Sequence, residues 1–540
     1  MLLLCGRKFG RRIFAARILR VAAATILLAA CVGLLAACAG PTSMSRSGDG
    51  ASAVVDASPA QVYVDPGPSR PALADEAIAR LAVAPVGAGG DTELHVRIID
   101  LGTDGRRELT KSGEISFARP TQPLGVSIAL TEAAFRAAER LQPVNEIRLI
   151  VTGYDARGES VGSVRAIPAR ATFRGVEREE GWFWVDLSLL PAVTTLSARV
   201  VISRHRPPGG MVAGASEEGP LPRAAEAPLY VGTLAVAEEP LESTHEFTIA
   251  LIPDTQKYAE SYPETFTAQT EYLAAAVEPE RIAFVSHLGD VVEHGERESE
   301  WRIADAAMSV LDGVVPYGIV IGNHDFADEF EDPHGGAPLF LQYFPESRYA
   351  ELPWHGGRSP DGLSSYQLID AGPWELLYLH LSVDTPPAAL EWARRVIARY
   401  PGRPTIVTTH VYLRENGRIP KPYLWGSGDG TWDGISSEQF FTDFVARHPQ
   451  IFMVTCGHIS SERYQVSIND TGLPVFELLQ DYQNREAGGE GFLRFLRFYP
   501  DRDEIRAVTY SPTLDQFEVD GDSHFVIEID FDTRFDALSE

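Results

Sequence analysis

Five stretches of this sequence run from an apolar segment into a short cluster of residues able to bind a cation or move a proton. Phe247 to Pro253 leads into Asp254-Thr255-Gln256, and Ile282 to Leu288 into Gly289-Asp290-Val-Val-Glu293. Tyr317 to Ile321 leads into Gly322-Asn323-His324-Asp325, Thr405 to Thr409 ends at His410, and Ile451 to Cys456 ends at Gly457-His458. Singly these are ordinary, since a Gly-Asp pair is usually a turn and a strand-end histidine usually a structural residue. Jointly they bring carboxylate, amide oxygen and imidazole to the C-terminal ends of strands, where α/β sheets place their ligands. A mixed oxygen and nitrogen donor set of this kind suits Mn, Fe or Zn.

The order and spacing of these residues resemble the calcineurin-like metallophosphoesterase superfamily over roughly residues 244–540. Trp301, Asp305, Pro316 and Tyr510-Ser-Pro512 resemble an extracytoplasmic bacterial branch of it. The resemblance implies a four-layer α/β/β/α sandwich of two mixed sheets and a centre of two divalent metals that hydrolyses phosphoesters. It makes Asp290 the bridging ligand, with Asn323, His410 and His458 completing one tight site. The other site departs from the family pattern twice. Gln256 stands where a histidine is expected, and Ser460 replaces the second histidine of Gly-His-x-His. That leaves Asp254, Asp290 and the Gln256 carbonyl for a weaker site, shifted toward Mg or Mn because imidazole suits Zn and Fe better than amide or hydroxyl oxygen does.

The expected reaction is hydrolysis of a phosphate monoester or diester by attack of a metal-held hydroxide, with His324 protonating the leaving group or stabilising the transition state. Glu293 stands where the family holds the carboxylate that orients this histidine; a solvated loop acid is the other reading of it. Arg463 either binds a phosphate oxygen or pairs with a surface acid. Asp325 is expected to hold its loop. His287, His294, His334, His355 and His380 are further donors that could replace a missing ligand, and each is more simply structural. Tyr258, Trp425 and Trp432 could line a pocket, the two tryptophans on a Gly-rich loop from Tyr423 to Gly434. The two departures leave an alternative open: a catalytically weakened phosphate-ligand or surface-binding protein on the same fold.

The elements needed to position these residues are legible from residue 244 onward, where buried-looking strands alternate with helical stretches at Ala268 to Val277, Glu298 to Leu311 and Leu390 to Tyr400. Short strands return between Phe492 and Phe531. Before this, residues 91–240 hold alternating runs separated by turns, the pattern of an all-β sandwich-like accessory domain, with one helix at Thr131 to Leu141 and a loop over 206–228. Residues 39–90, rich in Ala, Gly, Pro and Ser, read as a flexible tether.

Residues 1–38 have the basic, apolar and small-residue layout of a secretory signal. Leu35-Ala36-Ala37-Cys38 resembles a lipoprotein signal, which implies acylation of Cys38, export, and a membrane-anchored place at the cell surface or in the periplasm. Leu28-Ala29-Ala30-Cys31 fits the same pattern with a shorter apolar core before it. Removal of the signal would leave Cys456 as the one free thiol, so no disulfide is expected within the mature chain.

The chain's 540 residues call for more than one core, and its 44% hydrophobic and 23% charged content excludes a disordered, collagen-like or multi-span membrane protein. The formal charge is −28, and the six basic residues before Cys38 are unaccompanied by acid, so the remainder is more acidic still. Such a surface repels nucleic acid, and none is expected as a partner. The partners expected are a phosphoester, the bilayer reached through Cys38, and a cell-surface ligand of the β domain.

Overall fold

A computed structural model describes residues 109–130, 145–166, 181–204, 230–237, 245–327, 336–423 and 434–536. The signal segment with Cys38, the tether, residues 91–108, the helix Thr131 to Leu141, the loop 206–228, His334, Trp425 and Trp432 lie outside them.

From residue 245 onward two mixed sheets carry the structure. The first runs Gln516–Glu518, Glu504–Ser511, Leu493–Tyr499, Phe247–Ile252, Ile282–His287, Tyr317–Ile319, of which the last three are parallel. The second runs His355–Arg358, Ser365–Ala371, Trp374–Leu381, Thr405–Thr409, Ile451–Cys456, Pro474–Gln480, Glu462–Ile468, with the four from Trp374–Leu381 to Pro474–Gln480 parallel.

These central strands are apolar on both faces because both faces are covered. Ile249 and Leu251 meet Leu376, Tyr378, Ile406 and Phe452 between the sheets. Their neighbours Ala250 and Ile252 point the other way and pack with Phe266, Leu273, Trp301 and Ala304 of helices Pro263–Ala276 and Glu298–Met308. On the second sheet Leu377 and Leu379 face Leu390, Ala393 and Val396 of helix Pro387–Arg399. The result is the α/β/β/α layering expected from the sequence. Two helices begin earlier than their apolar periodicity indicates, at Pro263 and Pro387, because proline is tolerated in the first helical turn, where an N–H has no partner to lose.

Strands between residues 109 and 237 pair antiparallel with one another. The 22-residue strand Leu109–Leu130 serves two sets of neighbours: Val193–Arg204 along its first part, and Gly181–Asp186 and Tyr230–Ala237 along its second. Its register breaks between Ser116 and Thr121, a stretch that includes Pro120, which has no N–H to give the ladder. At the far edge Ser160–Ala166 pairs parallel with Gln516–Glu518, Val164 opposite Phe517, so this β-rich region and the first sheet form one continuous sheet.

A buried network of charges crosses that seam. Arg165 reaches Glu490 at 2.6 Å and Glu518 at 3.3 Å. Arg485 holds both oxygens of Glu518, at 2.7 and 2.8 Å, and Glu462 at 2.9 Å, while Arg494 pairs with the other Glu462 oxygen. Burial alone would raise the Glu518 carboxyl; Arg485 and Arg165 instead hold it down to about 2. Removing one member leaves buried opposite charges uncompensated, and that costs more than the intact pair contributes. Glu518→Ala is therefore expected to lower unfolding stability by about 3–5 kcal/mol in urea titration at neutral pH. Glu298→Ala, which removes an exposed i,i+4 pair with Arg302, should change it little.

Candidate metal centre

The five polar clusters converge on one edge of the two sheets because each follows the C-terminal end of a parallel strand. The backbone there is bent sharply. Asp254, Asp290 and His458 have φ of 26°, 49° and 72°, left-handed values that cost a non-glycine residue on the order of 1–3 kcal/mol each. The glycines beside the candidate ligands make room for ligands from other loops. A Cβ on Gly289 would lie 2.6 Å from His410 Nδ1, one on Gly322 2.1 Å from Asp290 Oδ1, and one on Gly457 2.1 Å from Asp254 Oδ2.

Asp290 is fully buried. One carboxylate oxygen accepts the His324 main-chain N–H at 3.0 Å; the other lies 3.1 Å from His410 Nε2. His410 Nδ1 donates to the Leu288 carbonyl at 2.8 Å, so the neutral ring presents a bare Nε2, which is also 3.2 Å from Asn323 Oδ1. Asp290, His410 and His458 each bring one ligand atom within 4.8 Å of the others. Three lone-pair donors aimed at one another need a cation or a proton between them, and this set fits a divalent ion. The electrostatics show a proton competing for that place: burial lowers the His410 imidazole, but Asp290 outweighs it and raises the ring above its ordinary value. Burial, then Asp481 and Asp290, push the Asp254 carboxyl far up; burial and Asp290 push Asp325 up to about 7; burial puts Asp481 at about 6. Asp290 itself, despite burial, is held well below the usual carboxylate range by His410 and His324. Burial and His410 push the His458 imidazole down to about 3, leaving it neutral, as a ligand must be.

The opposite side of Asp290 is built differently. The Gln256 side chain is fully buried and turns its amide nitrogen, not its carbonyl, to Asp290 Oδ2 at 3.1 Å. The same nitrogen donates to Gln483 Oε1, and Gln483 Nε2 in turn donates to Asp481 Oδ2 at 2.8 Å and to the His458 carbonyl at 3.2 Å. Ser460 Oγ accepts the Asn484 N–H at 3.2 Å. The expectation of a Gln256 carbonyl ligand therefore meets an amide oriented as a donor. Asp481 and Gln483 were not singled out from the sequence, although they stand just beyond the strand Pro474–Gln480, a sixth apolar run entering polar residues.

His324 is oriented by Glu293 through the main chain: Nδ1 donates to the Glu293 carbonyl at 2.9 Å. The Glu293 carboxylate lies 4.0 Å from Nδ1 at its nearer oxygen and holds Lys257 Nζ at 2.5 Å with the other. Asp325 closes its loop by accepting N–H groups of Gly322, Val291 and Val292. Arg463 bonds to the Glu415 carbonyl and Gln465 Oε1. The remaining histidines have structural partners: His287 bonds Thr255 and Gly289, His380 bonds Ser286 and Gln367, His294 bonds Glu300, and His355 bonds Glu346. Tyr258 is buried with its hydroxyl on the Gly491 N–H, as a packing residue.

Because a methyl group at residue 457 would press on Asp254, whose carboxylate accepts the main-chain N–H of His458 at 2.8 Å and so positions that candidate ligand, Gly457→Ala is expected to weaken Mn²⁺ affinity on the order of 10–100-fold while the circular dichroism spectrum is kept. Calorimetric titration of chelator-stripped protein measures this.

Over 274 residues the chain is 31% identical to the uncharacterized protein YvnB of Bacillus subtilis (strain 168), covering 49% of this chain and 20% of that one. The chain thus spans about a fifth of that relative's length. A dimetal phosphatase from Danio rerio aligns at 13% identity and a TM-score of 0.33, over 50% of this chain and 97% of its own. Purple acid phosphatase PPD1 from yellow lupin (Lupinus luteus) seeds aligns at 11% identity and 0.35, over 79% and 73%. Residues 247–461, which carry Asp254, Asp290, Asn323, His324, His410 and His458, match the family of calcineurin-like phosphoesterases.

Proposed function

We propose that this protein is a metal-dependent phosphoesterase that hydrolyses a phosphate monoester or diester. The observation that carries the reading is the convergence of His410, His458 and Asn323 as lone-pair donors around the buried Asp290 carboxylate, with His324 on the adjoining loop. A divalent ion held there supplies Lewis acidity, polarising a phosphoryl oxygen and making water a stronger nucleophile at neutral pH. The protein's part is orientation. The Glu293 carbonyl holds Nδ1 of His324, so the proton that this imidazole exchanges with a leaving oxygen sits on Nε2. Asp325 keeps the Gly322 to His324 turn against the Asp290 loop, fixing that imidazole relative to the ligands.

The proposal places the protein outside the cytoplasm, tethered through Cys38, on the strength of residues 1–38 alone. The β-rich region before residue 240 is proposed as an accessory domain able to meet a cell-surface ligand. Arg463 stays in the proposal as a phosphate contact only if substrate draws it from the Glu415 carbonyl.

The full chain in detergent, stripped of metal and titrated with Mn²⁺ against paired aryl phosphate mono- and diesters, tests the activity. Hydrolysis is expected to rise with metal and to prefer one ester class. His324→Ala should lower kcat on the order of 100- to 10,000-fold with metal content unchanged. Asp290→Asn should remove both metal and turnover; unchanged hydrolysis in it would sink the proposal. Metal binding without turnover on either ester would favour the phosphate-ligand reading, to which the donor orientation of Gln256 lends support.

A further inference from the structure

We infer that this centre holds one metal ion, and that the Gln256–Gln483 amide pair fills with hydrogen bonds the place where a second ion would share Asp290. The inference rests on the metal-dependent reading above and concerns how many ions that reading requires.

Asp290 Oδ2 meets two different chemistries. Toward His410 and Asn323 it faces a bare imidazole nitrogen and an amide oxygen, acceptors that only a cation or a proton can reconcile. Toward Gln256 it faces an N–H donor 3.1 Å away, which satisfies it directly. A cation placed on that side would meet the hydrogen of the amide rather than a lone pair.

The direction of the amide is fixed by a chain of partners. Gln483 Nε2 donates to a carboxylate oxygen of Asp481 and to the His458 carbonyl; neither could be replaced by its own oxygen without setting acceptor against acceptor. Gln483 Oε1 must therefore face Gln256, and the Gln256 nitrogen must face Gln483 and Asp290 together. Gln256 Oε1 makes no hydrogen bond among the described residues, so the amide is held by its nitrogen alone. Ser460, the other departure from the family pattern, is engaged by the next residue of the same segment, Asn484. Both residues at expected histidine positions are thus bonded to the consecutive pair Gln483-Asn484. The group of His, Asp and Glu side chains that converges at this centre is Asp290, His410 and His458; Asp254 is not part of it, its Oδ1 accepting the His458 main-chain N–H at 2.8 Å and its buried Oδ2 making no hydrogen bond among the described residues.

In this arrangement Gln256 is a positioning residue: it orients and partly neutralises Asp290 without binding metal. Changing its amide nitrogen to a carboxylate oxygen, at nearly constant shape, should open the second site by replacing a donor with a ligand.

The test is the metal count of the full chain in detergent, dialysed against Mn²⁺ after chelation, with the electron paramagnetic resonance spectrum as a second readout. One Mn²⁺ per chain with the isolated six-line signal is expected, rising to two with an exchange-coupled signal in Gln256→Glu. Gln256→His, which offers an imidazole instead, is run beside it in case the first variant does not fold. Two coupled ions in the unaltered chain would overturn the inference while leaving metal-dependent hydrolysis standing. No bound ion would overturn both. One ion in the unaltered chain and in every folded variant would show that the Gln256 amide is not what excludes the second.

Discussion

A carboxylate buried between two β-sheets must find donors or cations on every side, and Asp290 draws its partners from several loops. The His324 main chain, the Gln256 amide and the His410 ring surround it, and Gly322 packs on it so closely that no side chain could stand there. Each partner belongs to a different strand end, so the charge of one residue ties the strands of both sheets to a common register. The energetic reason is plain: an unpaired carboxylate in such a place costs several kcal/mol, and pairing recovers that only with close geometry.

That geometry depends on a backbone that few residues tolerate. Left-handed φ at Asp254, Asp290 and His458 and side-chain-free space at Gly289, Gly322 and Gly457 occur together because the loops are short and the ligands crowd one another. The strain is carried by the rigid layers beneath, where alternate residues of each strand are buried in separate cores. Flexible loops could not hold three lone-pair donors against one another before an ion arrives.

The segment from Asp481 to Glu490 joins the centre to the rest of the chain. Gln483 reaches Gln256 and His458 at one end, and Arg485 and Glu490 enter the buried charge network at the other, where Arg165 comes from the β-rich region. That region and the candidate metal centre are therefore linked through three residues of one loop, Gln483, Arg485 and Glu490, besides the shared sheet. A change at the seam has a short structural route to the ligands.

Much of this was legible in the sequence because it is local. An apolar run followed by Gly-Asp or Gly-Asn-His specifies a strand and the turn beyond it, and the identity of each donor, including the departures at Gln256 and Ser460, is visible in the letters. The alternation of strands and helices indicated an α/β region and the family resemblance implied its α/β/β/α layering, while two helices start earlier than their apolar periodicity indicates, at prolines that open a helix as readily as they end one. What the sequence could not express is direction. Whether Glu293 orients His324 through its carboxylate or its carbonyl depends on how one turn packs on another. Whether Gln256 offers an oxygen or a hydrogen depends on Gln483, 227 residues away. The residue types and their spacing determined that donors suited to a cation gather at one sheet edge; the tertiary structure alone decided which atoms face one another there, because a hydrogen bond is set by partners that meet only when the chain has folded.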